Sequence, residues 1–257
     1  MRKLALLLVS LVLVGSLVAC STNQGSSSTN DNAATGSNNT ETDAANGANN
    51  GQPDAPQYKP IEVICSGWTA IGNLVQGDSR VELLLAVEYK NPNNVPLYNN
   101  TLTAEIQNAN GAVIGTQYFT VAAIEANTTR GDCIGIWLNE QPSTITVTAM
   151  PFDQAMLNNT GGGQNYNSQI VVDGDYDDRA NPVAIIGTVT NNTGQTLNNV
   201  SVIAVYKDAK GDVIGGCFSP TVIETLPSGT PTSFSLLVGQ NNAPPRFASF
   251  DLFAKLS

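Results

Sequence analysis

The sequence of 257 residues contains no histidine, and only 12% of its residues are charged. Without an imidazole there is no Ser-His-Asp or Cys-His nucleophilic system and no histidine-ligated zinc or haem. The 11 basic residues stand against 21 acidic ones, which gives a net charge of −10. Nucleic acids and anionic lipid surfaces are bound by positive side chains, so neither is an expected partner. These features exclude several catalytic classes. Because the acidic residues also form no recognisable paired-carboxylate motif, we expect a protein that is not an enzyme and does not bind nucleic acid.

The chain begins with a short basic segment followed by an apolar one. Arg2 and Lys3 precede a largely apolar run that ends at Cys20. This run is marginal for crossing about 30 Å of hydrocarbon, so we favour a secretory signal peptide over a transmembrane anchor. Its last four residues, Leu17-Val18-Ala19-Cys20, resemble the lipobox of bacterial lipoproteins. The resemblance implies cleavage after residue 19, a lipid such as palmitate on Cys20, and anchoring in a cell membrane outside the cytoplasm.

The segment that follows is almost free of core-forming residues. Residues 21–57 contain no Val, Ile, Leu, Met, Phe, Tyr or Trp. Such a segment cannot bury enough apolar surface to offset the conformational entropy lost on folding. We predict that residues 20–57 form the lipidated start and a disordered linker.

After Tyr58 the sequence changes to short runs of β-branched, aliphatic and aromatic residues between Asn, Gly, Asp and Pro. Residues 81–89, 101–106, 184–189 and 201–206 are examples. Runs of this length bounded by turn residues are typical of strands. The sequence therefore predicts an all-β fold.

The chain also repeats itself at a spacing of 100 residues. Asn91 aligns with Asn191, and Gly111 aligns with Gly211. Each copy has the size of an immunoglobulin-like β-sandwich of about 100 residues. We predict two tandem modules, at residues 58–150 and 166–257, joined by a linker at 151–165.

Three segments of the second copy resemble the FxLYD domain of bacterial surface proteins. They are residues 187–192, residues 205–214, and Leu226-Pro227-Ser228-Gly229 before Phe234. The first copy departs from this pattern, with Asn108 in place of Asp208 and residues 126–129 in place of 226–229. The resemblance implies an immunoglobulin-like fold and an envelope location, and it brings no catalytic residue.

Three cysteines remain once Cys20 is assigned to a lipid. In an oxidising exterior we predict a disulfide between Cys65 and Cys133, which both lie in the first module. The alternative is two buried reduced thiols. Cys217 has no partner within its module and is interpreted as a small buried hydrophobic side chain.

One acidic segment is a candidate metal site. Asp173, Asp175 and Asp177 alternate along residues 173–178, and oxygen ligands at alternate positions can converge on calcium. The segment lacks the glycine and glutamate of an EF-hand, because Asp178 and Ala184 stand at those positions. A solvated loop of mutually repelling acids is the alternative. We expect no other cofactor.

These features favour a non-catalytic, membrane-anchored envelope lipoprotein that displays two β-sandwich modules for binding. Its expected partners are the membrane, reached through the lipid, and an envelope protein or cell-wall component. Two alternatives remain open: a structural spacer or accessory subunit of an envelope complex, and a calcium-dependent adhesion module. A binding protein should expose an apolar or aromatic patch, and a spacer should not.

Overall fold

The computed structural model describes residues 57–71, 80–158, 167–180, 182–238 and 246–256. The predicted signal peptide, Cys20 and nearly all of the predicted linker lie outside these residues. The predicted all-β class is confirmed: the described residues form thirteen strands and no α-helix. None of them forms a helix of membrane-spanning length and hydropathy.

The first six strands form two antiparallel sheets that face each other. The sheet orders are β1-β2-β5 and β4-β3-β6. Side chains alternate across each strand, so that Leu102, Ala104 and Ile106 of β3 all point into the core between the sheets. The strands are β1 (Glu62–Ala70), β2 (Val81–Lys90), β3 (Thr101–Gln107), β4 (Val113–Thr120), β5 (Thr129–Leu138) and β6 (Thr144–Ala149).

The remaining strands repeat this arrangement. One sheet has the order β7-β8-β12, and in the other β9 pairs with β10, β11 and β13. The sheet β1-β2-β5 of the first module thus corresponds, strand by strand, to β7-β8-β12. The sheet β4-β3-β6 corresponds in the same way to β10-β9-β13. The strands are β7 (Ile170–Asp177), β8 (Ala184–Asn191), β9 (Leu197–Lys207), β10 (Val213–Phe218), β11 (Ile223–Leu226), β12 (Thr232–Leu237) and β13 (Ser249–Leu256).

The repeated asparagines Asn91 and Asn191 are fully buried and organise equivalent turns. The Asn191 side-chain amide donates hydrogen bonds to the backbone carbonyls of Gln195 (2.7 Å) and Leu226 (2.9 Å). Its carbonyl oxygen accepts from the backbone N–H of Thr193. Asn91 donates to Val95 and Ile124 in the same way. The repeat is therefore maintained by buried polar groups as well as by the apolar core.

Part of the predicted linker at 151–165 packs on the core of the first six strands. A short 3₁₀ turn, Gln154–Leu157, buries Met156 in the first core. Phe152 packs against the same core, with its ring 5.6 Å from that of Tyr58. These contacts attach the first residues of the predicted linker to that core.

The two modules stack face to face. The outer face of sheet β1-β2-β5 packs on the outer face of the sheet containing β10, β9 and β13, which gives four layers in total. A separate buried cluster lies between them. It consists of Cys65, Ala86, Cys133, Ile203, Val205 and Val213. The central strands β2 and β9 are consequently buried on both faces, as their almost unbroken apolar runs require.

Candidate functional site

A cleft of about 480 Å³ opens at one edge of the second module. It lies between the end of β10, the turn that leads into β11, and the strand β12. Its apolar lining consists of Val202, Pro220, Ile223, Phe234 and Leu237. Its hydroxyl-bearing lining consists of Ser219, Thr221, Ser233 and Ser235. None of the described residues that line this cleft carries a charge.

The cleft runs along a free strand edge. β12 pairs with β8 and has no second partner strand among the described residues. An edge strand presents a row of backbone N–H and C=O groups that can pair with another extended chain. The cleft therefore combines an apolar floor with main-chain donors and acceptors, which is the arrangement that binds an added β-strand.

An exposed hydrophobic side chain lies in the turn that borders this cleft. Val222 is 44% exposed, whereas Phe218 pairs with Ile203 and so lies on the opposite face of its sheet from Val202. Exposed large apolar side chains next to a concave apolar site are a feature of interaction surfaces.

A second concentration of polar groups lies between the modules. The Lys255 ammonium on β13 is 2.7 Å from the Asp132 carboxylate on β5. The Lys207 ammonium on β9 is 2.8 Å from Glu88 on β2 and 2.6 Å from Asp251. The Arg130 guanidinium also donates to the backbone carbonyl of Ala254. The Lys207–Asp251 pair lies within the second module, and the other contacts join the two modules rather than forming an open site.

Burial affects the titration of this network. Desolvation raises the pKa of Asp132 above its ordinary value, although Lys255 and Arg130 oppose the shift. Burial lowers the pKa of Arg130. Burial also acts to lower the pKa of Lys207, but hydrogen bonds to Asp251 and Glu88 outweigh it and the net shift is upward. Sequence reasoning missed these residues, because they lie in four strands that meet only when the modules stack.

The predicted disulfide between Cys65 and Cys133 is wrong, because the thiol of Cys133 is free and buried. Cys65 lies on β1 and Cys133 on β5, and β2 runs between these two strands. Two strand spacings amount to roughly 9.5 Å, which exceeds the reach of about 7 Å between the Cα atoms of a disulfide.

Cys217 is a free thiol buried in the core of the second module, as its sequence interpretation anticipated. Burial raises its pKa to about 11 and raises that of Cys133 well above the ordinary range. Both thiols therefore stay protonated near neutral pH and are poor nucleophiles. They lie in different apolar clusters, Cys133 between the modules and Cys217 within the second.

The three aspartates of the candidate calcium site lie on strand β7, not in a loop. Residues two apart on a strand are about 7 Å apart and share one face, so the three carboxylates form a row and do not surround a point. Asp177 interacts with Arg179, whose guanidinium nitrogen is 3.6 Å away. Among the described residues no group of three or more metal-ligating side chains converges. The geometry gives the calcium hypothesis no support.

The two tryptophans lie in the first module. Trp68 is partly buried against the first core. Trp137 is 38% exposed, and the Arg80 guanidinium lies 5.0 Å from its ring centre. The stacked guanidinium covers one face of this ring, so Trp137 is a weaker binding candidate than the cleft.

Comparison with known proteins gives only weak similarities. No family model matches the sequence, and no curated protein matches it. Among solved structures, the exo-chitosanase CsxA of Amycolatopsis orientalis aligns at 12% identity over 59% of this chain and 22% of the enzyme, with a TM-score of 0.23. A red sea bream transglutaminase aligns at 12% identity over 79% of this chain and 31% of the enzyme, with a TM-score of 0.21. The chain thus spans less than a third of either enzyme, and neither similarity supports a functional assignment.

Proposed function

We propose that this chain is a non-catalytic bacterial envelope lipoprotein, anchored through Cys20, that displays two immunoglobulin-like modules for binding. The FxLYD-like segments of the second module and the lipobox-like end of the apolar segment support this proposal. The observation that carries it is the uncharged cleft beside the free edge of β12. A partner protein would add an extended segment to β12 and place apolar side chains in the cleft.

A second candidate function is that of a structural spacer or accessory subunit. The ion pairs between the modules favour it, because docked modules hold a fixed length and orientation. In a spacer the cleft would have no partner. The binding function therefore predicts that the chain captures a partner protein, and the spacer function predicts that it captures none.

We expect Ser235→Lys to abolish capture of the partner protein. Ser235 is exposed and lines the cleft, and a lysine there brings a solvated charge to the strand edge, which opposes strand addition. The measurement is quantitative capture of proteins from envelope extract on the immobilised wild-type and variant chains. Thr188→Lys is the matched control, because Thr188 is exposed on the central strand β8 of the same sheet. Equal capture by wild type and Ser235→Lys would exclude the cleft, and capture of nothing by wild type would favour the spacer.

We expect Cys20→Ala to release the protein from the membrane fraction. The stable attachment proposed here requires acyl chains, since each buried CH₂ contributes about 0.8 kcal/mol and one chain alone holds only marginally. The measurement is the intact mass of the wild-type N-terminus together with the distribution of both chains between membrane and soluble fractions. Cys217→Ala is the control, since its buried thiol is not a lipid site. A wild-type chain without acyl mass on Cys20 would contradict the anchor.

A further inference from the structure

The outer face of sheet β4-β3-β6 carries an array of threonines. Its inward side chains, such as those of Leu102 and Ile106, are fully buried in the first core. Because paired residues in antiparallel strands share a face, the outward positions are fixed by the strand register. Seven of them are threonine, and we call this surface the threonine face: Thr101, Thr103, Thr116, Thr120, Thr144, Thr146 and Thr148.

An exposed aromatic ring lies in the middle row of this face. Tyr118 on β4 pairs with Thr103 on β3, which pairs with Thr148 on β6. Tyr118 is 67% exposed, more than any other large hydrophobic side chain that the structure describes. The neighbouring row is Thr116, Glu105 and Thr146. With strands about 4.8 Å apart and alternate residues about 7 Å apart, the hydroxyls form a regular grid around the ring.

The equivalent face of the second module packs against the first module. The row equivalent to Tyr118, Thr103 and Thr148 is Phe218, Ile203 and Phe253. Ile203 and Phe253 pack between the modules, where the first module covers them. Most outward residues of β4 and β6 are exposed in the part of the chain that the structure describes, and an exposed sheet face needs polar side chains. Solvation alone explains the threonines but does not require an aromatic ring that is two-thirds exposed.

The charge of this face limits what it can bind. Glu105 is the single charged side chain among the outward residues of these three strands, each of which the structure describes in full. A polyanion would find no cation here, and a polycation would find one carboxylate. Gln107 donates a hydrogen bond of 2.8 Å to Glu105, which orients the carboxylate, and a carboxylate can accept several more hydrogen bonds. The face therefore complements a neutral molecule that is rich in hydroxyl donors.

We infer that the threonine face binds an uncharged polysaccharide. The ring of Tyr118 stacks on the apolar C–H face of a sugar, while Glu105 and the threonine hydroxyls exchange hydrogen bonds with its hydroxyl groups. Threonine and tyrosine side chains have few free torsions, so the surface is ordered before binding and loses little entropy. This inference rests on the proposed binding function and adds a second site, on the first module, to the cleft of the second.

The test is retention of the full-length chain, purified in detergent micelles, on microcrystalline cellulose and on insoluble chitin. We expect the wild type to bind at least one of them, and Tyr118→Ala to weaken binding about tenfold, as loss of a central aromatic contact does. Thr103→Val removes one hydroxyl without changing side-chain size and should weaken binding about threefold. Thr188→Val, on the exposed face of the second module, is the matched control and should bind as wild type does.

Urea unfolding midpoints equal to wild type would show that these variants stay folded. Binding that Tyr118→Ala leaves unchanged would overturn the inference, and so would a wild type that binds neither polysaccharide or that binds a heparin resin equally well. In each of those cases the proposed function would still be supported if the wild type captures an envelope protein and Ser235→Lys does not. If the wild type captures no envelope protein, or captures the same amount as Ser235→Lys, while its retention on a polysaccharide depends on Tyr118, the cleft would be excluded and the threonine face supported.

Discussion

Replacing Lys255 with methionine should lower the free energy of unfolding by about 3–5 kcal/mol. The Lys255 ammonium is 2.7 Å from the carboxylate of Asp132, whose side chain is 1% exposed. The other carboxylate oxygen of Asp132 accepts a hydrogen bond of 2.8 Å from the backbone N–H of Cys133. Methionine fills a similar volume but leaves the buried carboxylate without its ion-pair partner, and Arg130, whose effect on the pKa of Asp132 is smaller than that of Lys255, offsets only part of the desolvation of that charge. Urea unfolding followed by tryptophan fluorescence measures the loss.

The pH dependence of this loss identifies its cause. Burial raises the pKa of Asp132, so the folded state holds this proton more tightly than the unfolded state does. Tighter proton binding by Asp132 stabilises the folded state. This contribution is fully present below the pKa of Asp132 in the unfolded state and is lost as the pH rises through its pKa in the folded state. Without Lys255 the folded pKa rises further, so the deficit of Lys255→Met should shrink as the pH is lowered from about 7 toward 4. A deficit that does not change with pH would indicate lost packing instead.

Two further variants complete this experiment. Asp132→Asn in the Lys255→Met background removes the uncompensated charge and should recover most of the lost stability. Lys210→Met is the matched control, because Lys210 lies exposed in the turn between β9 and β10, and it should change stability by less than about 0.5 kcal/mol. A loss below 1 kcal/mol for Lys255→Met would mean that water reaches Asp132 and that the pair is equivalent to one at the surface.

The strands and the repeat could be predicted from the sequence because their signals are local. Residues 81–89 and 184–189 lie within β2 and β8, and 101–106 and 201–206 lie within β3 and β9. The spacing of 100 residues recurs in the structure, since β4 and β10 begin at Val113 and Val213. Alternation, β-branched residues and turn-forming Asn and Gly are properties of neighbouring residues, so one sequence is enough to show them.

The stacking of the modules was not predicted, because it depends on residues far apart in the chain. The nearly unbroken apolar run Leu83-Leu84-Leu85-Ala86-Val87 was one available signal, since a strand that is apolar on both sides is covered on both faces. It does not identify the covering partner. The same limit explains the wrong disulfide: both cysteines lie on one face, but the order of strands, unknown from the sequence, puts β2 between them. The threonine face likewise depends on the register of three strands.

Gly67→Ala should separate the two modules while leaving each one folded. A Cβ atom on Gly67 would lie 2.1 Å from the backbone oxygen of Val213 and 2.7 Å from the Cα atom of Ile214. Both are backbone atoms of the facing module, so no side-chain rotation relieves the overlap. Because Gly67 faces the other module and not its own core, the clash acts on docking. The radius of gyration of residues 58–257 in solution should rise above the value of about 16 Å expected for a compact body of this size.

Gly135→Ala is the matched control, because a Cβ atom at Gly135, in the same sheet, would meet nothing within 4 Å. Neither glycine has a positive φ, so alanine causes no backbone strain at either position and the difference between the two variants measures the contact alone. Undocking would also expose Asp132 and the apolar cluster around Ala86, so Gly67→Ala should cancel most of the additional cost of Lys255→Met in the double variant. The prediction would be contradicted if the losses in free energy of unfolding of Gly67→Ala and Lys255→Met simply add and the radius of gyration is unchanged. The module interface would then adapt to the added methyl group, and Asp132 would stay buried.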